Sequence, residues 1–232
     1  MQKVNCSLEA LEEVADSIWY VRLKPSQPVD FSPGQYLLVV MADDDKRPFS
    51  IANKPSIDGT IEMHVGATPD NGYAMQVLTR IREQGHIDLQ LPAGKAYLRA
   101  KSRHPVILMA GGTGYAYTRS ILQQMLADGL HRPVFIYWGV RLEAQLYADQ
   151  ELRSWVAEHK ELTYVPVVQN ADEHWQGRTG LVHEAIMADF PSLAGYDIYV
   201  AGRFEMAGVA REAFKEKGVE ADHLFGDAYE FI

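Results

Sequence analysis

Cysteine is almost absent from this chain of 232 residues, in which Cys6 stands alone. A single thiol excludes an intrachain disulfide. It also excludes an iron–sulfur cluster ligated by this chain, because such a cluster needs several thiolates. A chain without disulfides is typical of a reducing compartment, so we expect a cytoplasmic protein. The eight histidines show no spacing typical of zinc ligands, and we therefore predict no bound metal.

Positive charge and long apolar runs are also scarce. Lysine and arginine number 22 against 31 aspartate and glutamate residues, which gives a net charge of −9. This balance argues against nucleic acid as the main partner, because neutralising phosphates takes clustered lysine and arginine. No apolar run approaches the roughly 20 residues of a membrane-spanning helix, and residues 1–10 lack the basic start and apolar block of a secretion signal. We expect neither a nucleic acid nor a membrane as partner.

Hydrophobic residues are plentiful at 47%, which is enough for sizeable cores. Residues 1–99 hold short apolar stretches separated by turn residues, which predicts a small antiparallel β-barrel. Residues 100–232 alternate apolar runs with helical stretches, which predicts a doubly wound α/β domain with a parallel sheet. The predicted helices are Ala74 to Gln84, Tyr115 to Ala127, Leu181 to Phe190 and Phe204 to Lys217, and the stretch Glu143 to His159 is predicted to be mostly helical.

A glycine-rich turn follows the first strand of the second half. Five apolar residues, 106–110, predict a strand buried on both faces, and Gly111-Gly112-Thr113-Gly114 comes directly before a helix. Strand, glycine turn and helix allow backbone N–H groups to approach a phosphate. A tight turn that binds nothing has the same pattern, and Tyr117 stands where G-x-G-x-x-G has its last glycine. Two other predicted strands end at or beside Gly139 and Gly202, and this agreement favours a nucleotide site.

The first half contains the tetrapeptide Arg47-Pro48-Phe49-Ser50. Pro48 lacks a backbone donor, and its neighbours offer a cation, an aromatic ring and a hydroxyl. An aromatic ligand of two or three fused rings with a polar edge would use all three. An ordinary strand start has the same residue types, so the motif alone leaves both interpretations open.

These motifs, in this order and with Ala201-Gly202-Arg203-Phe204-Glu205-Met206 after the last long strand, resemble the ferredoxin–NADP reductase superfamily. Within it the chain is most similar to bacterial NAD(P)H–flavin reductases, including those that supply reduced FMN to luciferase. The resemblance covers essentially the whole chain. It implies a flavin-binding barrel domain, residues 1–99, and an NAD(P)-binding domain, residues 100–232.

The resemblance also implies the reaction. A hydride would pass from NADPH or NADH to N5 of a flavin, with the two rings stacked in a cleft between the domains. The flavin, whether riboflavin, FMN or FAD, would be a substrate, because the turn Pro92-Ala93-Gly94 lacks the long loop that clamps the AMP half of FAD in members with a bound flavin. The reduced flavin would leave for acceptors such as luciferase, another flavin-dependent enzyme or ferric iron.

The resemblance assigns roles to particular residues. Ser50 matches the hydroxyl residue that hydrogen-bonds near flavin N5, and we expect it to be catalytic. The other residues expected at the flavin are Arg47, Pro48, Phe49, His64, Val65 and Gly66. The residues expected at the pyridine nucleotide are Gly111, Gly112, Thr113, Gly114, Tyr115, Ala201, Gly202, Arg203, Phe204 and Met206.

The end of the second long strand of this half adds Gly139 and Arg141 to the expected nucleotide site. Arg141 either meets a 2′-phosphate or is a solvated loop residue, and we expect both NADPH and NADH to be used. Two other functions stay open. The chain could be a reductase component with bound flavin that delivers electrons to a protein partner, or a nucleotide-binding protein without activity.

Overall fold

A computed structural model describes all residues, 1–232, and divides them into two units. The first unit contains residues 1–98 together with 119–124, and the second contains residues 99–118 together with 125–232. No helix in either unit has both the length and the apolar character that a bilayer span requires.

The first unit is an antiparallel sheet of six strands with one helix. Its elements are β1 (Gln2–Ala15), β2 (Ile18–Pro25), β3 (Tyr36–Val40), β4 (Lys46–Ser50), β5 (Ile61–Gly66), α1 (Gly72–Gln84) and β6 (His86–Ala93). The strands lie in the order β4-β3-β6-β1-β2-β5, so β4 and β5 are the two ends of the sheet. The chain just beyond β4 meets β5, because the Ala52 N–H donates to the Glu62 carbonyl at 2.8 Å. The sheet thus forms the predicted barrel.

The core of the first unit follows from strand alternation. In β5 every second residue, Ile61, Met63 and Val65, is buried in the barrel core, while the residues between them are half-buried. Helix α1 buries one face at helical spacing. It begins after Asn71, whose side chain accepts a hydrogen bond from the Ala74 N–H, and ends at Gly85 in the left-handed conformation.

The second unit is a parallel sheet of six strands connected mainly by helices. Its elements are β7 (Val106–Gly111), α2 (Tyr115–Ala127), β8 (Val134–Val140), α3 (Asp149–Glu158), β9 (Leu162–Val168), β10 (Arg178–Thr179), α4 (Val182–Asp189), β11 (Asp197–Ala201), α5 (Phe204–Glu216) and β12 (Leu224–Phe225). Residues 119–124 of α2 are counted with the first unit. The strand order is β10-β9-β8-β7-β11-β12. The five residues 106–110 of β7 are fully buried, as expected for an inner strand of a parallel sheet. The predicted α/β class of this half is confirmed.

The observed bounds of the elements agree with those predicted from the sequence where the apolar periodicity is strong. The predicted helix Tyr115 to Ala127 matches α2 at both ends. The stretch Glu143 to His159, predicted to be mostly helical, contains a short 3₁₀ turn, Glu143–Gln145, and an α-helix that starts only at Asp149. Between them the Tyr147 ring packs edge-on against Trp138, 5.0 Å between ring centroids. This tertiary contact overrides the local helical preference.

Candidate functional site

The glycine-rich turn of the second unit is built to leave one side open. Residues Gly112–Gly114 form a 3₁₀ turn between β7 and α2. Gly112 has a φ of +54°, and no atom lies within 4 Å of the place where its Cβ would stand. At Gly114 a Cβ would lie 2.4 Å from the Ala201 carbonyl oxygen, so glycine is needed for the close approach to the end of β11. Because the first N–H groups of a helix lack intrahelical acceptors, the turn suits an anion.

Two aromatic side chains support this turn from inside the unit. The Trp138 indole Nε1–H donates to the Gly112 carbonyl at 2.8 Å, and its ring stacks on Tyr115 with 4.4 Å between centroids. The Tyr115 hydroxyl donates to Glu151 at 2.8 Å, and its N–H is bonded to the Gly112 and Thr113 carbonyls. Tyr115 is fully buried. Tyr115 therefore shapes the turn, and its expected contact with the nucleotide stays a prediction.

Close packing of neighbouring side chains requires glycine at the other strand ends. A Cβ on Gly111 would lie 2.6 Å from the Met206 sulfur, and one on Gly202 would lie 2.4 Å from the Met206 methyl carbon. Met206 thus fills the space between the ends of β7 and β11. Gly139 differs, because a Cβ there would lie 2.7 Å from the Val182 side chain of α4. Packing against α4 therefore requires glycine at position 139, and its assignment to the nucleotide site stays a prediction.

Exposed side chains follow the ends of β8 and β11. The guanidinium groups of Arg141 and Arg203 are exposed and have no hydrogen-bond or ion-pair partner in the structure. Arg203 directly precedes α5, whose N-terminus contributes a positive partial charge. Phe204, the first residue of α5, is 54% exposed. Unpaired cations at these strand ends can bind phosphate groups.

In the first unit, strand β4 carries the Arg-Pro-Phe-Ser motif at one end of the barrel sheet. Phe49 packs against the barrel core, whereas Pro48 is exposed. Strand alternation places Ser50 on the same side as Pro48. The half-buried Ser50 hydroxyl has no hydrogen-bond partner within the protein, so it is available to a ligand.

Arg47, in contrast, is committed to the first unit. Its Nε and Nη2 atoms donate to the two Asp45 carboxylate oxygens at 2.8 and 2.5 Å. The Tyr73 carbonyl accepts from Nη1 at 2.5 Å, the Gln76 side chain accepts from Nη2 at 2.8 Å, and the guanidinium carbon lies 4.5 Å from the Tyr73 ring centroid. Only 7% of Arg47 is exposed. The guanidinium therefore ties β4 to α1 and is not a free cation for a ligand phosphate.

The end of β5 combines a neutral histidine with a buried ion pair. Burial, with a smaller contribution from the positive charge of Arg119, lowers the pKa of His64 to about 3. Val65 is 1% exposed and its side chain belongs to the barrel core, and its place beside the flavin stays a prediction. Arg119 donates to Glu62 at 2.8 Å, and both side chains are largely buried. No sequence pattern predicts this pair, because its members are 57 positions apart.

Comparison with known proteins matches this organisation. The oxidoreductase FAD-binding domain model matches residues 5–97, and the oxidoreductase NAD-binding domain model matches residues 108–212. Together they define the class, a pyridine-nucleotide-dependent flavin oxidoreductase. The NAD(P)H-flavin reductases of Aliivibrio fischeri and Vibrio harveyi are 47% and 43% identical to this chain over 99% of both sequences. The chain belongs to the NAD(P)H-flavin reductase family, which confirms the resemblance seen in the sequence.

A solved structure supports the fold. The cytochrome P450 reductase GcoB from Amycolatopsis superposes with a TM-score of 0.88 and 25% sequence identity. The match covers 97% of this chain and 69% of the GcoB chain. The expected superfamily fold is therefore confirmed.

Proposed function

We propose that this protein is an NAD(P)H:flavin oxidoreductase that reduces a dissociable flavin and releases it. When bound, NADPH or NADH supplies a hydride from nicotinamide C4, and riboflavin, FMN or FAD accepts it at N5. The observation that carries the proposal is the turn at Gly112, which is open on one side and held on the other by Trp138. Such a turn fits a pyrophosphate, and the family supplies the chemistry.

The proposed flavin-binding domain is residues 1–99. Ser50 is the proposed catalytic residue, because its unpartnered hydroxyl can donate a hydrogen bond near N5 as charge develops there. His64 and Gly66 are proposed to border the ring, with His64 as a neutral group. Arg47 acts as a positioning residue, since its bonds to Asp45, Tyr73 and Gln76 fix the start of β4. Pro48 and the backbone of Phe49 and Val65 complete the proposed site.

The proposed NAD(P)-binding domain is residues 100–232. The backbone of Gly111, Gly112, Thr113 and Gly114 is proposed to receive the pyrophosphate. Ala201, Gly202 and Met206 are proposed to border the nicotinamide at the end of β11, and Arg203 and Phe204 to contact the nucleotide from the start of α5. Arg141 is proposed to bind the 2′-phosphate of NADPH, because its guanidinium is exposed and unpaired.

The location and the acceptor belong to the same proposal. We propose a cytoplasmic protein whose reduced flavin serves a downstream flavin-dependent enzyme or ferric iron. The fold shared with a cytochrome P450 reductase favours a second candidate, a reductase component with a bound flavin that passes electrons to a protein. The single cysteine, Cys6, is buried and cannot ligate a cluster for such transfer on its own.

Flavin dependence of turnover tests the proposal. Purified protein is mixed with NADPH or NADH, and oxidation of the nicotinamide is followed before and after riboflavin, FMN or FAD is added. We expect oxidation only after a flavin is added, with rates that saturate with flavin concentration. No turnover with any of the three flavins would contradict the assignment. Full activity before addition, with a protein acceptor present, would favour the second candidate.

A further inference from the structure

Three strands of the parallel sheet start side by side, and each start carries a metal-ligating side chain. Asp197 is the first residue of β11 and lies opposite Val106 of β7. His104 precedes β7 by two residues, and His223 directly precedes β12, which pairs with β11 from Ile198 onward. The strand register therefore places the three side chains next to one another at the N-terminal ends of the strands.

The side chains converge on one carboxylate oxygen. The His223 Nδ1 atom lies 2.8 Å from Asp197 Oδ1, and the His104 Nδ1 atom lies 3.5 Å from the same oxygen. One potential ligand atom from each residue lies within 4.8 Å of the other two. The His104 Nδ1 atom is buried and has no hydrogen-bond partner. The His104 and His223 rings lie against each other, with 4.5 Å between their centroids, so both Nδ1 atoms come within 3.5 Å of the same carboxylate oxygen.

The second oxygen of Asp197 is occupied by a different partner. Arg132 donates to Asp197 Oδ2 at 2.7 Å, so Oδ1 remains the oxygen that faces the imidazoles. The Arg132 guanidinium therefore fixes the orientation of the carboxylate. The histidine side chains are 42% and 29% exposed, so an ion can enter from solvent.

We propose that His104, Asp197 and His223 bind a divalent transition-metal ion of the Zn²⁺ type. Two imidazoles and one carboxylate are ligands that such ions accept, with water completing the coordination. On binding, His223 exchanges its hydrogen bond to Asp197 for a bond to the metal, and any Nδ1 proton leaves to solvent. The nearby charge of Arg132 weakens binding, so we expect a site of lower affinity than a closed structural zinc site.

The proposed metal site would stabilise the fold and would not take part in the reaction. β7 runs six residues from Val106 to Gly111, so the cluster lies roughly 20 Å from the glycine turn at the other end of the strand. We expect the ion to join the starts of β7, β11 and β12 and to stabilise the folded second unit. The flavin-reducing reaction needs no ion there.

Zn²⁺ titration of the tag-free full-length chain tests the proposal. Isothermal calorimetry should show one site per chain, and Zn²⁺ should raise the melting temperature. His104→Ala and His223→Ala should each weaken binding by about tenfold or more, because even indirect supports of a metal site contribute that much. His174→Ala is the matched control, since the His174 side chain is 84% exposed and lies outside the cluster.

Melting curves without metal first establish that each variant folds. If His223→Ala does not fold, His104→Ala alone provides the test, because His104 lies 3.5 Å from Asp197 and makes no hydrogen bond to it that folding would lose. A Co²⁺ complex of the wild type should show absorption bands that both variants lose. Wild-type-like Zn²⁺ affinity in His104→Ala, or equal weakening in His174→Ala, would overturn the proposal. Flavin reduction by both variants should match the wild type, so loss of the metal site and failure of the proposed function are separate results.

Discussion

At the scale of single residues, the Ser50 hydroxyl is set apart by having no partner in the protein. Neighbouring polar groups of the barrel are engaged, as the Arg47 guanidinium is with Asp45. A hydroxyl left free on an end strand is suited to a ligand and adds little to stability. Its replacement should therefore affect the reaction and leave the fold unchanged.

Ser50→Ala should lower kcat by roughly 10-fold to 100-fold with a smaller change in KM, because a donor aimed at developing charge acts mainly in the transition state. Steady-state kinetics with FMN measure the effect. Ser26→Ala, an exposed serine on the same barrel, should leave kcat unchanged. An unaltered kcat in Ser50→Ala would remove Ser50 from the mechanism.

Arg141→Ala should raise the KM for NADPH by roughly tenfold and leave the KM for NADH nearly unchanged, since only NADPH carries the 2′-phosphate that a charged donor would bind. Arg103→Ala is the control, because Arg103 is also exposed but precedes β7 at the other edge of the sheet. Equal changes for the two nucleotides would contradict the proposed phosphate contact.

The lowered pKa of His64 makes stability depend on pH. The unfolded chain takes up the proton near the ordinary pKa of 6.5, whereas the folded chain resists it down to about 3. The free energy of unfolding should therefore fall as pH drops from 6.5 towards 3.

Urea denaturation at about pH 7 and about pH 5 measures this loss, which should be smaller in His64→Gln than in the wild type. His174→Gln, at an exposed position, should lose as much unfolding free energy between the two pH values as the wild type does. His183, whose pKa is also lowered by burial, contributes in the same direction, so some loss should persist. An identical loss of unfolding free energy in His64→Gln and the wild type would show that the fold does not protect His64 from protonation.

Residue types in the sequence indicated the segments of the proposed site but not the direction of their side chains. The motif around Ser50 and the turn at Gly112 could be found from residue order alone. The inward direction of Val65 and the burial of Tyr115 depend on strand register and on the contact with Trp138, which no local pattern encodes. The cluster of His104, Asp197 and His223 was missed for the same reason, since strand pairing alone brings it together.

At the scale of elements, the glycine turn depends on the strand beside it. Trp138 lies on β8 and donates to the Gly112 carbonyl, which fixes a peptide next to the open side of the turn. Trp138 is fully buried. Its hydrogen bond adds a positioning role, because the carbonyl it holds belongs to the turn.

Trp138→Phe keeps an aromatic ring against Tyr115 but leaves the Gly112 carbonyl without its donor. We expect a loss of about 1–3 kcal/mol in unfolding free energy. The KM for the nucleotide should rise, whereas the KM for the flavin should change little. Chemical denaturation and steady-state kinetics measure both effects. Trp155→Phe on α3, whose indole makes no side-chain hydrogen bond, should leave nucleotide KM unchanged, and an equal rise in both variants would contradict the role of Trp138.

Periodicity predicted elements well where packing agrees with local preference. Both ends of α2 and the C-terminal Gly85 of α1 follow from the sequence. The break between residues 143 and 149 does not, because aromatic packing of Tyr147 on Trp138 decides it. The two-residue strands β10 and β12 are too short to give a pattern.

At the scale of the whole molecule, the order of a barrel followed by a parallel sheet was predictable, since strand-rich and alternating halves differ in composition along the chain. The family match then connects that order to flavin and pyridine nucleotide. Hydride transfer further requires the two rings to approach within about 3–3.5 Å. In the proposed function, the flavin dissociates after each reaction.

Retention of flavin through gel filtration, combined with anaerobic turnover, tests this most directly. Protein is incubated with excess FMN, passed through the column, and then mixed with NADPH and fresh FMN without oxygen. We expect the protein to elute without flavin and then to reduce many equivalents of added FMN. Elution with one equivalent of tightly held flavin, and reduction of that equivalent only, would contradict a reductase that treats flavin as its substrate.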